Sequence, residues 1–168
     1  MRYSNIENFE IVNGADVGVS FYTQGCMRHC KGCFNQQAWD LDGGKPYTDE
    51  VRDSIVKACS RPGIKRFSIL GGEPLLDRNK EELIKLCSLV KEVNPDIKIW
   101  VYTGDIYENV KNSWLEFFQY YVDVLVDGPF ELDKRDITLA FRGSSNQRVI
   151  DVRKSIFEGK VINYFREE

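Results

Sequence analysis

Apolar residues recur along the chain in two periods. Phe9-Glu10-Ile11-Val12 alternates, and Asn13-Gly14 then signals a turn. Residues 17–23 (VGVSFYT) are β-branched and aromatic, which predicts a strand running straight into Gln24-Gly25-Cys26. Thr48 suits an N-cap, with Asp49 and Glu50 in the first helical turn and Val51, Ile55 and Cys59 on one face. Asn79 with Glu82 makes a variant of the capping box, ahead of an apolar stripe of Leu83, Leu86, Cys87 and Val90. Asp105 with Glu108 repeats that pattern before Ile106, Val110, Trp114, Phe117 and Phe118. Strands are predicted between these helices at 66–70 (RFSIL), 97–102 (IKIWVY) and 121–126 (YVDVLV), with a last short strand at 147–151 (QRVID).

The order β-α-β-α-β-α-β predicts an α/β fold with a mostly parallel sheet and right-handed crossovers. The chain is too short for a closed eight-fold barrel, which needs roughly 250 residues, so a partial, open barrel is expected. In such sheets the working groups sit on loops beyond the strands' C-terminal ends. Here those loops are Gln24-Gly25-Cys26 onward, Gly71-Gly72-Glu73-Pro74, Thr103-Gly104 and Asp127-Gly128-Pro129.

Length and composition narrow the class without naming a chemistry. The 168 residues, 42% hydrophobic and 29% charged, fit one soluble domain that buries its core without disulfides. No apolar run is long enough to cross a membrane, and residues 1–14 have no signal-peptide pattern, so a cytoplasmic protein with no membrane partner is expected. The net charge of −3 argues against coating nucleic acid.

The five cysteines carry the chemistry. Cys26, Cys30 and Cys33 form a C-x3-C-x2-C motif, whereas Cys59 and Cys87 stand alone on helical stripes as core residues. An odd count with no secretion signal makes a poor disulfide framework. Three thiolates so close can wrap one metal centre. Structural zinc wants a fourth protein ligand, and the single histidine, His29, is awkwardly placed beside Cys30. A four-iron cluster held by three thiolates keeps one iron open, which suits a chelating ligand. The spacing alone leaves both readings standing.

C-x3-C-x2-C at the end of a first strand, followed by Gly71-Gly72-Glu73-Pro74-Leu75, resembles the radical S-adenosylmethionine enzymes. Further blocks run in order: Gly32-Cys33-Phe34-Asn35 with Trp39, Ile99-Trp100-Val101-Tyr102-Thr103-Gly104, Asp123-Val124-Leu125-Val126-Asp127-Gly128, and Arg142-Gly143-Ser144-Ser145-Asn146-Gln147-Arg148. Together they resemble the activases of anaerobic (class III) ribonucleotide reductases. The resemblance treats 1–168 as a single radical SAM domain of the partial βα-barrel type and leaves 152–168 outside, read here as a surface helix with a frayed end.

The resemblance implies that Cys26, Cys30 and Cys33 ligate three irons of a [4Fe–4S] cluster, and that S-adenosylmethionine chelates the fourth. One electron would then cleave the sulfonium bond to a 5′-deoxyadenosyl radical, which takes a hydrogen from a glycine of the reductase's large subunit. The carbonyls of Gly71 and Gly72 and the Glu73 carboxylate would receive the cofactor's ammonium. Gly32, the Cys33 backbone and Phe34 would flank the adenine, and a flavodoxin-type donor would supply the electron. Arg142, Asn146 and Gln147 either line the mouth of the site or hold loop backbone. Competing readings are an activase of another glycyl-radical enzyme such as pyruvate formate-lyase, a deazaguanine-forming radical enzyme, and a zinc-stabilised binding module without catalysis.

Overall fold

The computed structural model describes residues 1–165. One seven-stranded sheet runs in the order β3-β1-β2-β4-β5-β6-β7. The strands are β1 (Arg2–Glu10), β2 (Gly18–Thr23), β3 (Lys45–Pro46), β4 (Arg66–Gly71), β5 (Lys98–Tyr102), β6 (Val124–Asp127) and β7 (Arg148–Asp151). The helices are α1 (Asp49–Cys59), α2 (Lys80–Val93), α3 (Tyr107–Val110), α4 (Leu115–Tyr120) and α5 (Val152–Glu158).

The expected parallel run is present at the centre, where β2, β4, β5 and β6 pair in sequence order. The sheet as a whole is mixed, because β1 pairs antiparallel with β2 and β3, and β7 pairs antiparallel with β6. Parallel neighbours placed in chain order, each joined by a right-handed crossover, put every helix on one face. The buried residues bear this out. Val19, Phe21, Phe67, Ile69, Ile99, Val101 and Leu125 share one cluster with Ile55, Leu83, Leu86, Phe117 and Phe118 of the helices. The alternate strand residues Trp100, Val124, Val126 and Val149 form a second, smaller cluster on the opposite face. Among the described residues no helix covers that face. Chain segments do: Phe141 and Tyr164 meet Trp100 edge-on at 5.3 and 5.2 Å.

Local signals decide some elements and not others. Thr48 caps α1 as expected, its Oγ1 accepting from Val51 N at 3.3 Å. Asn79 precedes α2 but makes no capping bond; its amide donates to Pro74 O at 3.1 Å, and Glu82 meets the N-terminal ammonium at 2.6 Å instead. The third predicted helix is broken into α3 and α4. Its expected cap fails because Asp127, from β6, accepts from Tyr107 N at 2.8 Å. The first strand begins at Arg2 and stops at Glu10, leaving Ile11 and Val12 about 70% exposed. The tail forms α5, ended by Gly159 in the left-handed conformation. It then returns to the sheet, with Tyr164 N donating to Val149 O at 2.8 Å, so it is pinned there rather than frayed. Residues 166–168 of the predicted frayed end lie outside the described part.

Candidate metal centre

β2 delivers Cys26 at its C-terminal end, and a short turn closes the loop behind it. Gly25 N donates to Ala38 O at 2.8 Å and Cys26 N to Trp39 O at 3.2 Å. Arg78 Nη2 clamps Gln24 O and Leu41 O from outside. Within the loop, His29 and Gly32 take positive φ, and Cys33 N donates to Cys30 O at 3.0 Å. The loop carries three half-buried thiols, which among the described residues are not drawn together into a metal-holding group. Cys33 Sγ accepts from Asn35 N at 3.4 Å, the kind of backbone donation that tunes a cluster thiolate. Burial pushes the Cys26 thiol up, Glu73 and Cys30 add to it, and backbone donors at Arg28 and His29 oppose it. His29 lays its ring on Trp39 at 4.4 Å, which occupies it as an aromatic partner rather than presenting it as a ligand. Cys59 and Cys87 are fully buried in the helical core, as expected.

The Gly-Gly-Glu-Pro segment lies directly against that loop. Gly72 N donates to Thr23 O and Glu73 N to Gly25 O, at 2.9 and 2.8 Å. A Cβ at Gly72 would sit 2.4 Å from Gly25 O, and one at Gly71 would sit 2.5 Å from Thr23 O at a φ of +110°. Both glycines are therefore required by the contact between two backbone segments, a reason the sequence reading did not contain. Glu73 is 6% exposed. Its Oε1 accepts from Thr103 Oγ1 at 2.8 Å and Leu75 N at 3.0 Å, and its Oε2 from Gly104 N at 2.9 Å. Arg28 reaches from the cysteine loop to the same carboxylate, and on to Asp105 Oδ2 at 2.7 Å.

Beside the loop, on the face without helices, lies a cavity of about 490 Å³. It is lined by Leu70, Tyr102 and Val126 of β4, β5 and β6, by Phe130, Leu139 and Phe141, and by Cys33 and Phe34 of the cysteine loop. Phe34 is 91% exposed, so it is a free rim residue and not part of the core. Asn13, also in the lining, is held by Ser20 and Tyr22, donating to their hydroxyls at 3.1 and 2.8 Å. Burial pushes the Tyr22 phenol up to about 12, and Glu7 beside it adds to the shift.

Residues 12–150 match the family model described as a 4Fe-4S single cluster domain. The chain belongs to that family. The matched span contains all three loop cysteines, and it decides between the two metals that their spacing left open. Curated relatives narrow the family further. An anaerobic ribonucleoside-triphosphate reductase-activating protein of Vibrio cholerae is 36% identical over 149 residues, covering 88% of this chain and 96% of the relative. One from Escherichia coli K12 is 34% identical over 91% of this chain and the whole of the relative. One from bacteriophage T4 is 35% identical over 89% and 93%.

Within this 4Fe-4S domain the structure adds contacts and residues to those that the motifs singled out. Thr103 and Gly104, in a loop and block that the sequence had marked, bond Glu73, and Asp105, expected only as a cap, pairs with Arg28. Arg66 is fully buried, pairs with Glu10 at 2.7 Å and donates to the carbonyls of Glu10, Asn13, Ala15 and Asp16. It thereby pins residues 10–16 over the helix-free face. No periodicity marks such a residue, since on a strand pattern it reads as an exposed polar position. In the C-terminal block, Gln147 and Asn146 hold backbone: Gln147 bonds Gly143 N, Ser144 N and Gly128 O, and Asn146 bonds Pro129 O. Arg142 lines the cavity.

Proposed function

We infer that this chain is a radical S-adenosylmethionine activase that installs a glycyl radical on an anaerobic ribonucleotide reductase. The observation that carries the reading is the contact between the three-cysteine loop and the Gly72–Glu73 backbone, in a chain matched along nearly its whole length by reductase-activating proteins. Four parallel strands in chain order with helices on one face support a partial, open radical-SAM-type barrel formed as one domain.

The chemistry of the donors fits the cluster: three soft, half-buried thiols on one loop, one of them accepting a backbone N–H. Cys26, Cys30 and Cys33 would hold three irons, leaving the fourth to the amino and carboxylate groups of S-adenosylmethionine. When bound, the pair supplies a one-electron cleavage of the sulfonium bond that yields methionine and a 5′-deoxyadenosyl radical. The rest of the work falls to the chain. Glu73 is oriented by Thr103, Gly104 and Leu75, so its charge stands fixed for the cofactor's ammonium. Gly71 and Gly72 keep the cofactor loop tight against the cysteine loop. Gly32, the Cys33 backbone and the free ring of Phe34 would flank the adenine, with the Phe34 ring available to shield it from water. The helix-free cavity receives the glycine segment of the reductase. A flavodoxin-type donor in the cytoplasm supplies the electron.

The test is to mix anaerobically reconstituted, reduced protein with the reductase and S-adenosylmethionine and record EPR. A glycyl doublet is expected. Cleavage of the cofactor with no doublet on the reductase contradicts the assignment.

A further inference from the structure

Arg142 places a cation in an apolar cavity without a matching anion. Its Nη1 donates to Gln147 O at 2.6 Å, while its Nε is buried and meets no partner. Among the described residues no carboxylate lies within ion-pair distance of it. Asp136 feels its charge, but that carboxyl is held low first by the side-chain and backbone donors of Thr138. The surrounding turn is fixed independently, because the Gln147 amide is saturated by Gly143, Ser144 and Gly128. The guanidinium is thus held in place by its own turn and keeps donors to spare. A buried N–H left unmade is unfavourable, and a guanidinium fork in apolar surroundings favours an oxygen acceptor.

The cavity's lining favours a polypeptide as the source of that acceptor. Its walls are Leu70, Val126, Phe130, Leu139 and Phe141, and it opens past Val12 and Phe34, which are 72% and 91% exposed. A polypeptide entering there would bury its flanking apolar atoms against the walls and bring a backbone carbonyl toward Arg142. A glycine segment fits best, since it presents its carbonyl with no Cβ in the way.

Resting on the activase reading above, we propose that Arg142 is a positioning residue that donates to a backbone carbonyl of the inserted glycine segment. It thereby sets the depth at which that segment sits beside Cys33 and Phe34. The same donors would suit the cofactor's carboxylate, so the test separates the two oxygen sources.

Arg142→Gln and Arg142→Lys are compared with wild type after anaerobic reconstitution, with iron content as the loading control. Two quantities are read: the reductase concentration for half-maximal glycyl doublet, and the S-adenosylmethionine Kd by equilibrium dialysis. Loss of a hydrogen bond from a charged donor predicts a rise in the reductase concentration of roughly ten- to a hundredfold in the Gln variant. The Lys variant, which keeps the charge, recovers part of that loss, and the rise is confined to the reductase. An unchanged reductase requirement overturns the proposal. So does a parallel rise in the cofactor Kd, which assigns Arg142 to the cofactor instead. A wild-type protein that yields no doublet at any reductase concentration overturns the activase reading itself, an outcome distinct from a variant that matches a working wild type.

Discussion

Arg28 Nε lies 3.4 Å from Oε2 of Glu73, so a cation from the cysteine loop already rests on the carboxylate proposed to take the cofactor's ammonium. The same side chain crosses Gly104 closely, where a Cβ would stand 2.4 Å from Arg28 Cδ, and ends on Asp105. Two opposite outcomes are expected. Glu73→Gln removes the charge and turns an N–H toward groups that donate, so S-adenosylmethionine binding should weaken roughly ten- to a hundredfold and Tm should fall. Arg28→Met removes a competitor from a partly exposed pair, so binding should tighten by a few-fold at most. Equilibrium dialysis of the reconstituted protein measures both, and equal effects of the same sign would refute this relationship.

Much of this site was legible before any coordinates. The cysteine spacing, the Gly-Gly-Glu-Pro block and the strands that carry them are local patterns, and each sits where a β-to-loop junction was expected. What escaped was long-range. β1 is a half-buried strand whose polar residues face Ser20 and Tyr22, so its period is blurred. The cap expected at Asp105 fails because Asp127, twenty-two positions downstream, takes the Tyr107 backbone donor. The antiparallel edges β3 and β7 depend on which neighbours the sheet leaves open, and a helix-and-strand pattern does not record that.

The five thiols should sort into two groups. Burial pushes Cys59 up to about 12 and raises Cys87 as well, while the three loop thiols are half-buried. Thiolate fraction and access govern alkylation. Mass spectrometry of the folded apoprotein after brief iodoacetamide treatment should therefore show adducts at Cys26, Cys30 and Cys33 only. Ala at any of these three should abolish iron retention, whereas Cys59→Ala and Cys87→Ala should keep full iron. Iron loss on changing a core cysteine would contradict the ligand assignment.

Gly72→Ala forces a methyl group to within 2.4 Å of Gly25 O and 3.0 Å of Ala38 O. Neither neighbour is a flexible side-chain end, so β4 and the cysteine loop must separate. A loss of about 1–3 kcal/mol in stability is expected, as for overpacked sites, together with faster iron release to a chelator. Denaturant melts and bleaching rates check it; a variant with wild-type values in both would show that the two segments are not rigidly coupled.

The Arg66–Glu10 pair gives the fold an acid-sensitive joint. Burial alone pushes the Glu10 carboxyl up, but donors at Ser20, Val12, Asn13 and Arg66 outweigh it and hold it below the usual glutamate range. A lowered folded value means that the unfolded chain binds more protons in this window. The contribution is complete above the unfolded value of about 4.3 and is lost as pH falls through the folded one. Glu10→Gln should flatten the acid limb of stability against pH. Arg66→Met leaves Glu10 as an unpaired, largely buried charge and should cost about 3–5 kcal/mol at neutral pH. Urea melts across pH 3–7 read both effects, and an unchanged acid limb in Glu10→Gln would remove Glu10 from the account.

The account turns on an iron corner that the protein leaves for the cofactor. Electron–nuclear double resonance on the reduced, anaerobically reconstituted protein, with S-adenosylmethionine labelled by ¹⁷O in its carboxylate and ¹⁵N in its amino group, reads that corner directly. Strong coupling of both labels to a cluster spin is predicted. A cluster spectrum unchanged by the labelled cofactor, or protein holding stoichiometric zinc in place of iron, would contradict it.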